Sequence, residues 1–128
     1  MVRDTQYRFA HPLSTIESRP TVLGVLAEGP VRFLLVSGDL DTGSWGVIGA
    51  FWLSIDGERG GFAVSPEAVW QGSEMSRNYR SAERRGWPAE MTYRYWQHQV
   101  GVASPSLMVD PQQHADTLLA VYRRVGAL

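Results

Sequence analysis

The 128 residues contain no cysteine and no lysine. The first absence excludes disulfides, thiolate nucleophiles, iron–sulfur clusters and thiolate zinc sites, so packing alone must hold the fold. The second excludes a P-loop lysine, a Schiff base and a Ser/Lys pair, and makes arginine the carrier of all twelve basic charges. An arginine-for-lysine skew is also what a GC-rich genome produces without selection on function. Long apolar runs are missing as well. The longest, 45–53, spans nine residues with two glycines inside it, far short of the ~20 that a membrane-spanning helix needs. Neither sign of charge dominates: twelve basic against thirteen acidic residues leave a net charge of -1, so no global field draws the chain to nucleic acid or to an anionic bilayer. Arg3, Asp4 and Arg8 stand near the N-terminus with no apolar run behind them, unlike a secretory signal. These features together predict a cytoplasmic protein with no membrane partner.

Cofactor and metal signatures are equally scarce. His11, His98 and His114 are far apart, and none stands in His-Glu-x-x-His or has a second ligand three or four residues further along. Asp39, Asp41 and Gly43 begin like a calcium loop, but that loop wants an oxygen ligand at Gly43, glycine at Ser44 and glutamate at Ala50. Neither Gly-x-Gly-x-x-Gly nor Gly-x-Ser-x-Gly occurs, and Gly60-Gly61 does not lead into a helix in phosphate-loop register. No cofactor and no metal are therefore expected.

What is present is the composition of a folded domain: 44% hydrophobic, 20% charged and 11% aromatic residues. At this length roughly two thirds of the chain's surface can be buried. Without repeats or a linker-like composition shift, residues 1–128 read as one domain. Alternating or β-branched apolar runs predict strands at 5–9, 21–27, 31–37, 44–55 and 60–64, and a short one at 106–109. Glu28-Gly29-Pro30 is turn chemistry and predicts an antiparallel hairpin between 21–27 and 31–37. Turns are also expected at 39–43 and at Asp56-Gly57. Strict alternation puts Trp45, Val47, Phe51, Leu53 and Ile55 on one face of the 44–55 strand and Ile48, Ala50 and Trp52 on the other. Gly46 and Gly49 within it suggest a bulge or a close approach by another segment.

Helical signals concentrate later in the chain. Ser14 and Glu17 suggest one turn, cut short by Pro20. Ser65-Pro66-Glu67 is a helix start; Gly72-Ser73 predicts a break with a restart at Glu74, and Gly86 a stop. Over 88–100 the start signal Pro88-Ala89-Glu90 favours a helix, although residues 91–96 have strand-like composition. Asp110-Pro111-Gln112-Gln113 predicts a last helix carrying Ala115, Leu118, Leu119, Tyr122 and Val125 on one stripe, ended by Gly126. The expected architecture is α+β, an antiparallel sheet of about five strands in the first half packed against the C-terminal amphipathic helix and one or two further helices.

Two constellations bear on chemistry. Asp41-Thr42-Gly43-Ser44 resembles the catalytic turn of aspartic proteases, and that resemblance implies a homodimeric hydrolase with Asp41, or its neighbour Asp39, as the acting carboxylate. The family's turn follows an apolar strand end, because the acids must meet in a dry cleft. Here Ser37, Gly38, Asp39 and Leu40 precede it and only Leu40 is apolar. The later apolar-apolar-Gly strand also fails, since Val47-Ile48-Gly49 comes too soon and Gln99-Val100-Gly101 matches poorly. A polar hairpin turn accounts for the string without catalysis.

The second constellation is Arg77, Arg80, Arg84 and Arg85 followed by Trp87, Tyr93, Tyr95 and Trp96. Arginine and aromatic side chains together are enriched at protein interfaces and at single-stranded RNA platforms. Glu74, Glu83 and Glu90 intersperse the run, so a salt-bridged solvent face is the plain alternative, with Tyr95 and Trp96 in the core. The sequence is thus read as a binding protein that contacts another protein through Arg77, Arg80, Arg84, Arg85 and Trp87, in the manner of small immunity or antitoxin-like partners. A hydrolase built on Asp39 or Asp41, and a nucleic-acid binder using the 77–85 arginines, stand as alternatives.

Overall fold

A computed structural model describes residues 27–103 and 106–127. The expected strands at 5–9 and 21–27 and the turn at 14–17 lie outside the described residues, apart from Ala27. Three strands run in succession, β1 (Val31–Asp39), β2 (Trp45–Ser54) and β3 (Gly60–Val64), each antiparallel to the one before. A 3-10 turn, Pro66–Ala68, leads into α1 (Val69–Arg84), and α2 (Ala89–Ala103) follows. Two short strands, β4 (Met108–Val109) and β5 (Gln113–Ala115), precede α3 (Leu118–Arg124). The result is an α+β fold with a five-stranded antiparallel sheet. Among the described residues no helix is long and apolar enough to cross a membrane.

The sheet is buried on both faces, which is why Phe33–Val36 of β1 and Ala50–Leu53 of β2 are unbroken apolar runs. One face carries Phe33, Leu35, Ala50 and Trp52 against Leu118, Val121 and Tyr122 of α3. The other carries Leu34, Val36, Phe51 and Phe62 against Tyr79 of α1 and Tyr93 of α2. The glycines in β2 do mark a bulge. Val36 pairs with Gly49 but Ser37 pairs with Val47, so Ile48 is the extra residue. Its insertion exchanges two side chains relative to strict alternation: Ile48 joins the α1/α2 face and Val47 packs on the α3 face. The parity expected for that end of the strand is thereby corrected, because a one-residue bulge inverts facing beyond it.

β1 pairs with β2 on one edge and with β4 and β5 on the other; the first arm of the expected 21–27/31–37 hairpin lies, apart from Ala27, outside the described residues. Two further expectations need correction. The first concerns the last helix, which begins at Leu118 rather than at 110–113. Val36 pairs with Val109 and Phe33 with Gln113, so β4 and β5 are two halves of one edge strand with a residue inserted between them. Pro111 lacks an N–H to give to the ladder, and the break falls there. Asp110 still donates its N–H to the Leu35 carbonyl at 2.9 Å. The helix start is taken instead by Thr117, whose hydroxyl accepts from the Ala120 N–H at 3.3 Å.

The second correction concerns α1, which runs unbroken through Gly72. A Cβ there would lie 2.6 Å from Val64 Cγ1, so glycine serves the close approach of helix to sheet rather than a break. Both glycine helix stops behave as read. At the end of α1, Gly86 has φ +89°, its N–H reaches the Glu83 carbonyl at 2.9 Å, and the Trp87 N–H reaches the Ala82 carbonyl at 3.1 Å. That is the paired Schellman pattern, which needs the left-handed backbone glycine supplies. Gly126 closes α3 the same way, with the Ala127 N–H on the Tyr122 carbonyl at 2.9 Å.

Candidate functional site

Asp41, the residue at the centre of the protease-like string, has a mechanical role. It lies on the exposed β1–β2 turn, where the Leu40 N–H meets the Ser44 carbonyl at 2.7 Å. Ala68 offers α1 no side-chain cap, and the Asp41 carboxylate supplies one from outside by accepting the Val69 N–H at 3.2 Å. The Asp41 N–H in turn donates to the Glu67 carbonyl at 3.1 Å. A carboxylate at a helix N-terminus meets both an orphan donor and the positive end of the dipole. Asp39 is exposed at the end of β1, and neither acid lines the clefts described below. Among the described residues no group of three His, Asp or Glu side chains is placed to hold a metal ion.

The arginines divide according to helical geometry. Residues seven apart on an α-helix differ by only about 20° in direction, so Arg77 and Arg84 project together from the outer side of α1. Both are exposed, and half-buried Arg80 lies between them. Arg85, about 100° on from Arg84, falls on the flank that turns toward α2, and Trp87 follows it there. The expected five-residue patch is therefore two neighbouring groups. The ion pairs among the described residues, Arg59 with Glu28 and Asp56 and Arg94 with Glu90, include none of Arg77, Arg84 and Arg85.

One residue of the outer face was missed. Trp70 stands seven positions before Arg77 and fourteen before Arg84, and is 75% exposed. The signal was in the sequence, at a spacing that extends the arginine stripe back by two turns. Gly72, Ser76, Tyr79 and Ala82 are the buried side of the helix, and Trp70 lies away from them.

Glu83 lies about 100° from Arg84 on the side away from Arg85 and is half-buried. Burial pushes its carboxyl up to about 7, outweighing the opposing pull of Arg80 and Arg84. Burial likewise raises the phenols of Tyr79 and Tyr93 far above their ordinary value. Tyr93, not Tyr95, is the core tyrosine of α2: it is 2% exposed and donates its hydroxyl to Gln112 Oε1 at 3.0 Å. Tyr95, two residues on and so about 200° around the helix, is 38% exposed.

Between α1 and α2 runs a trough with two clefts that meet at Asn78 and Trp96. The larger, about 310 Å³, has an apolar floor of Phe51, Met75, Val100 and Leu107. The smaller, about 270 Å³, lies at the Gly86 turn and is walled by Arg85, Trp87, Tyr95 and Trp96. Its rings meet edge to face, Trp87 to Tyr95 at 5.0 Å and Tyr95 to Trp96 at 4.9 Å. Compared with family models, curated proteins and solved structures, the chain matches none of them.

Proposed function

We propose that this chain is a small protein-binding protein that docks on its partner through the outer face of α1, with Trp70 as the apolar anchor and Arg77 and Arg84 as charged contacts. The observation that carries this reading is Trp70 at 75% exposure on the same stripe as the two arginines. A tryptophan side chain offers some 150–250 Å² of surface, and leaving it in water forgoes stabilisation on the order of a few kcal/mol. Tryptophan and arginine are also the residue types that dominate binding energy at interfaces. Arg77 and Arg84 are in none of the ion pairs among the described residues, so an acidic partner surface would meet charges that the fold leaves available. With a net charge of -1 the attraction is local to this face. A partner with carboxylates around an apolar pocket fits it, and a cytoplasmic immunity or antitoxin-like pairing is the kind of role such a module serves.

The test is affinity capture from the source cells with three proteins: the unaltered chain, Trp70→Ala, and Arg77→Glu with Arg84→Glu. The three side chains are exposed, so melting temperatures should agree within about 2 °C. A discrete protein held by the unaltered chain and lost by both variants is expected, with hydrogen-exchange protection over residues 70–84 in the purified complex. A partner retained by the double charge reversal would show the face to be idle.

A further inference from the structure

We propose that the smaller cleft, at the α1–α2 turn, is a binding site for a planar aromatic carboxylate. This site lies on the other flank of α1 from the docking face and does not depend on it. The charge on its walls is of one sign. Of the six lining residues, Asn78, Ala82, Arg85, Trp87, Tyr95 and Trp96, Arg85 is the one basic residue and none is acidic. Among the described residues no acid is paired with the guanidinium. Its Nε–H is directed to the Ser81 carbonyl at 3.4 Å and its central carbon lies 6.0 Å from the centre of the Trp87 ring. The two terminal nitrogens are the fork that matches a carboxylate in plane.

The remaining walls suit a flat ring. Trp87 is placed by the Schellman hydrogen bond to Ala82, and Tyr95 is steadied by the Gln99 side-chain N–H on its hydroxyl at 3.0 Å. Edge-to-face packing of Trp87, Tyr95 and Trp96 makes a corner in which one ring of a ligand can stack on one face and meet the next by its edge. Because these side chains are tied to each other and to the backbone, little ordering remains to be done on binding. At about 270 Å³ the cleft is near the lower end of ligand-binding pockets, which sizes it for one or two fused rings. Asn78 adds a neutral polar group on the wall opposite the rings of α2.

The test uses indole-3-carboxylate, its neutral counterpart indole-3-carboxamide, and adenosine monophosphate as an aromatic phosphate, titrated into the full chain with the indole N–H resonances of Trp87 and Trp96 as readout. The carboxylate is expected to shift both resonances saturably, with a Kd on the order of a millimolar, and to bind about tenfold more tightly than the carboxamide. Arg85→Gln, an exposed substitution, should remove that preference by weakening the carboxylate about tenfold more than the carboxamide. Tyr95→Ala should weaken both indoles. No saturable shift at either tryptophan, equal affinity for the charged and neutral indoles, or unaltered carboxylate binding in Arg85→Gln would overturn the proposal. Tighter binding of adenosine monophosphate than of the carboxylate would overturn the assignment of the anion.

Discussion

Gly72 and Glu83 show how a single position in α1 answers to what packs around it. In an isolated helix Gly72→Ala would gain about 1 kcal/mol of helix propensity. In this fold the new methyl would lie 2.6 Å from Val64 Cγ1, and Val64 is itself buried against the sheet. Overpacking of that kind costs about 1–3 kcal/mol, so a net loss is expected, read as a lower urea midpoint; a higher midpoint would mean that helix and strand are not in this contact. Glu83 makes a pH prediction. Its folded pKa, pushed up to about 7 by burial, lies above the ordinary glutamate value of 4.5. The folded state therefore binds the proton more tightly than the unfolded chain. Its stabilising contribution is complete below about pH 4.5 and is lost as pH rises toward and through 7. Glu83→Gln, which mimics the protonated acid, should flatten urea midpoints measured from pH 5 to 8 and raise the midpoint at pH 8. A steeper profile in the variant would contradict the buried carboxyl.

At the scale of elements, the C-terminal helix shows how a sequence signal loses to a tertiary contact. Asp110-Pro111-Gln112-Gln113 carries the pattern of a helix start, yet β1 has an edge to be satisfied, and residues 108–115 supply its hydrogen bonds around Pro111. The helix then forms from the next adequate cap, Thr117, while the Leu118 N–H finds the Glu28 carbonyl at 2.7 Å. The same glutamate's side chain grips Arg59 at 2.8 Å, so Glu28 ties the β2–β3 turn to the start of α3. Two substitutions separate the competing starts. Thr117→Ala should cost about 1 kcal/mol through the lost cap. Asp110→Ala should cost less than about 0.5 kcal/mol, since that residue contributes its backbone N–H to β1 and no cap. Equal costs, measured by denaturant titration, would return the helix start to Asp110.

Across the whole molecule, one sheet separates two apolar layers, and its strands belong to both. Leu118 lies under the α3 face and Tyr79 under the α1 face, with β1 and β2 supplying alternate residues to each. The layers should therefore open together. Leu118→Ala is expected to cost about 2–5 kcal/mol, and to lower the hydrogen-exchange protection of core amides in α1 as much as in β1. Full protection in α1 alongside loss in β1 would mean that the two layers unfold separately. The same arrangement leaves α1 with a buried side, an outer side bearing Trp70, Arg77 and Arg84, and a flank open to α2, which gives one helix two distinct surfaces.

The sequence by itself determined the α+β class, β1 through β3 and their turns, and the glycine stops at Gly86 and Gly126. Each of these rests on local chemistry: alternation, turn residues and left-handed backbone act within a few positions. Tertiary structure decided which edge β1 offers to which partner, that Gly72 continues a helix, that Tyr93 and not Tyr95 is buried, and that Arg85 and Trp87 part from Arg77 and Arg84. Those outcomes depend on segments distant in the chain competing for the same hydrogen bonds and the same volume. Helical spacing allowed the arginines to be grouped, but only the direction in which α1 lies on the sheet says which of them share a surface.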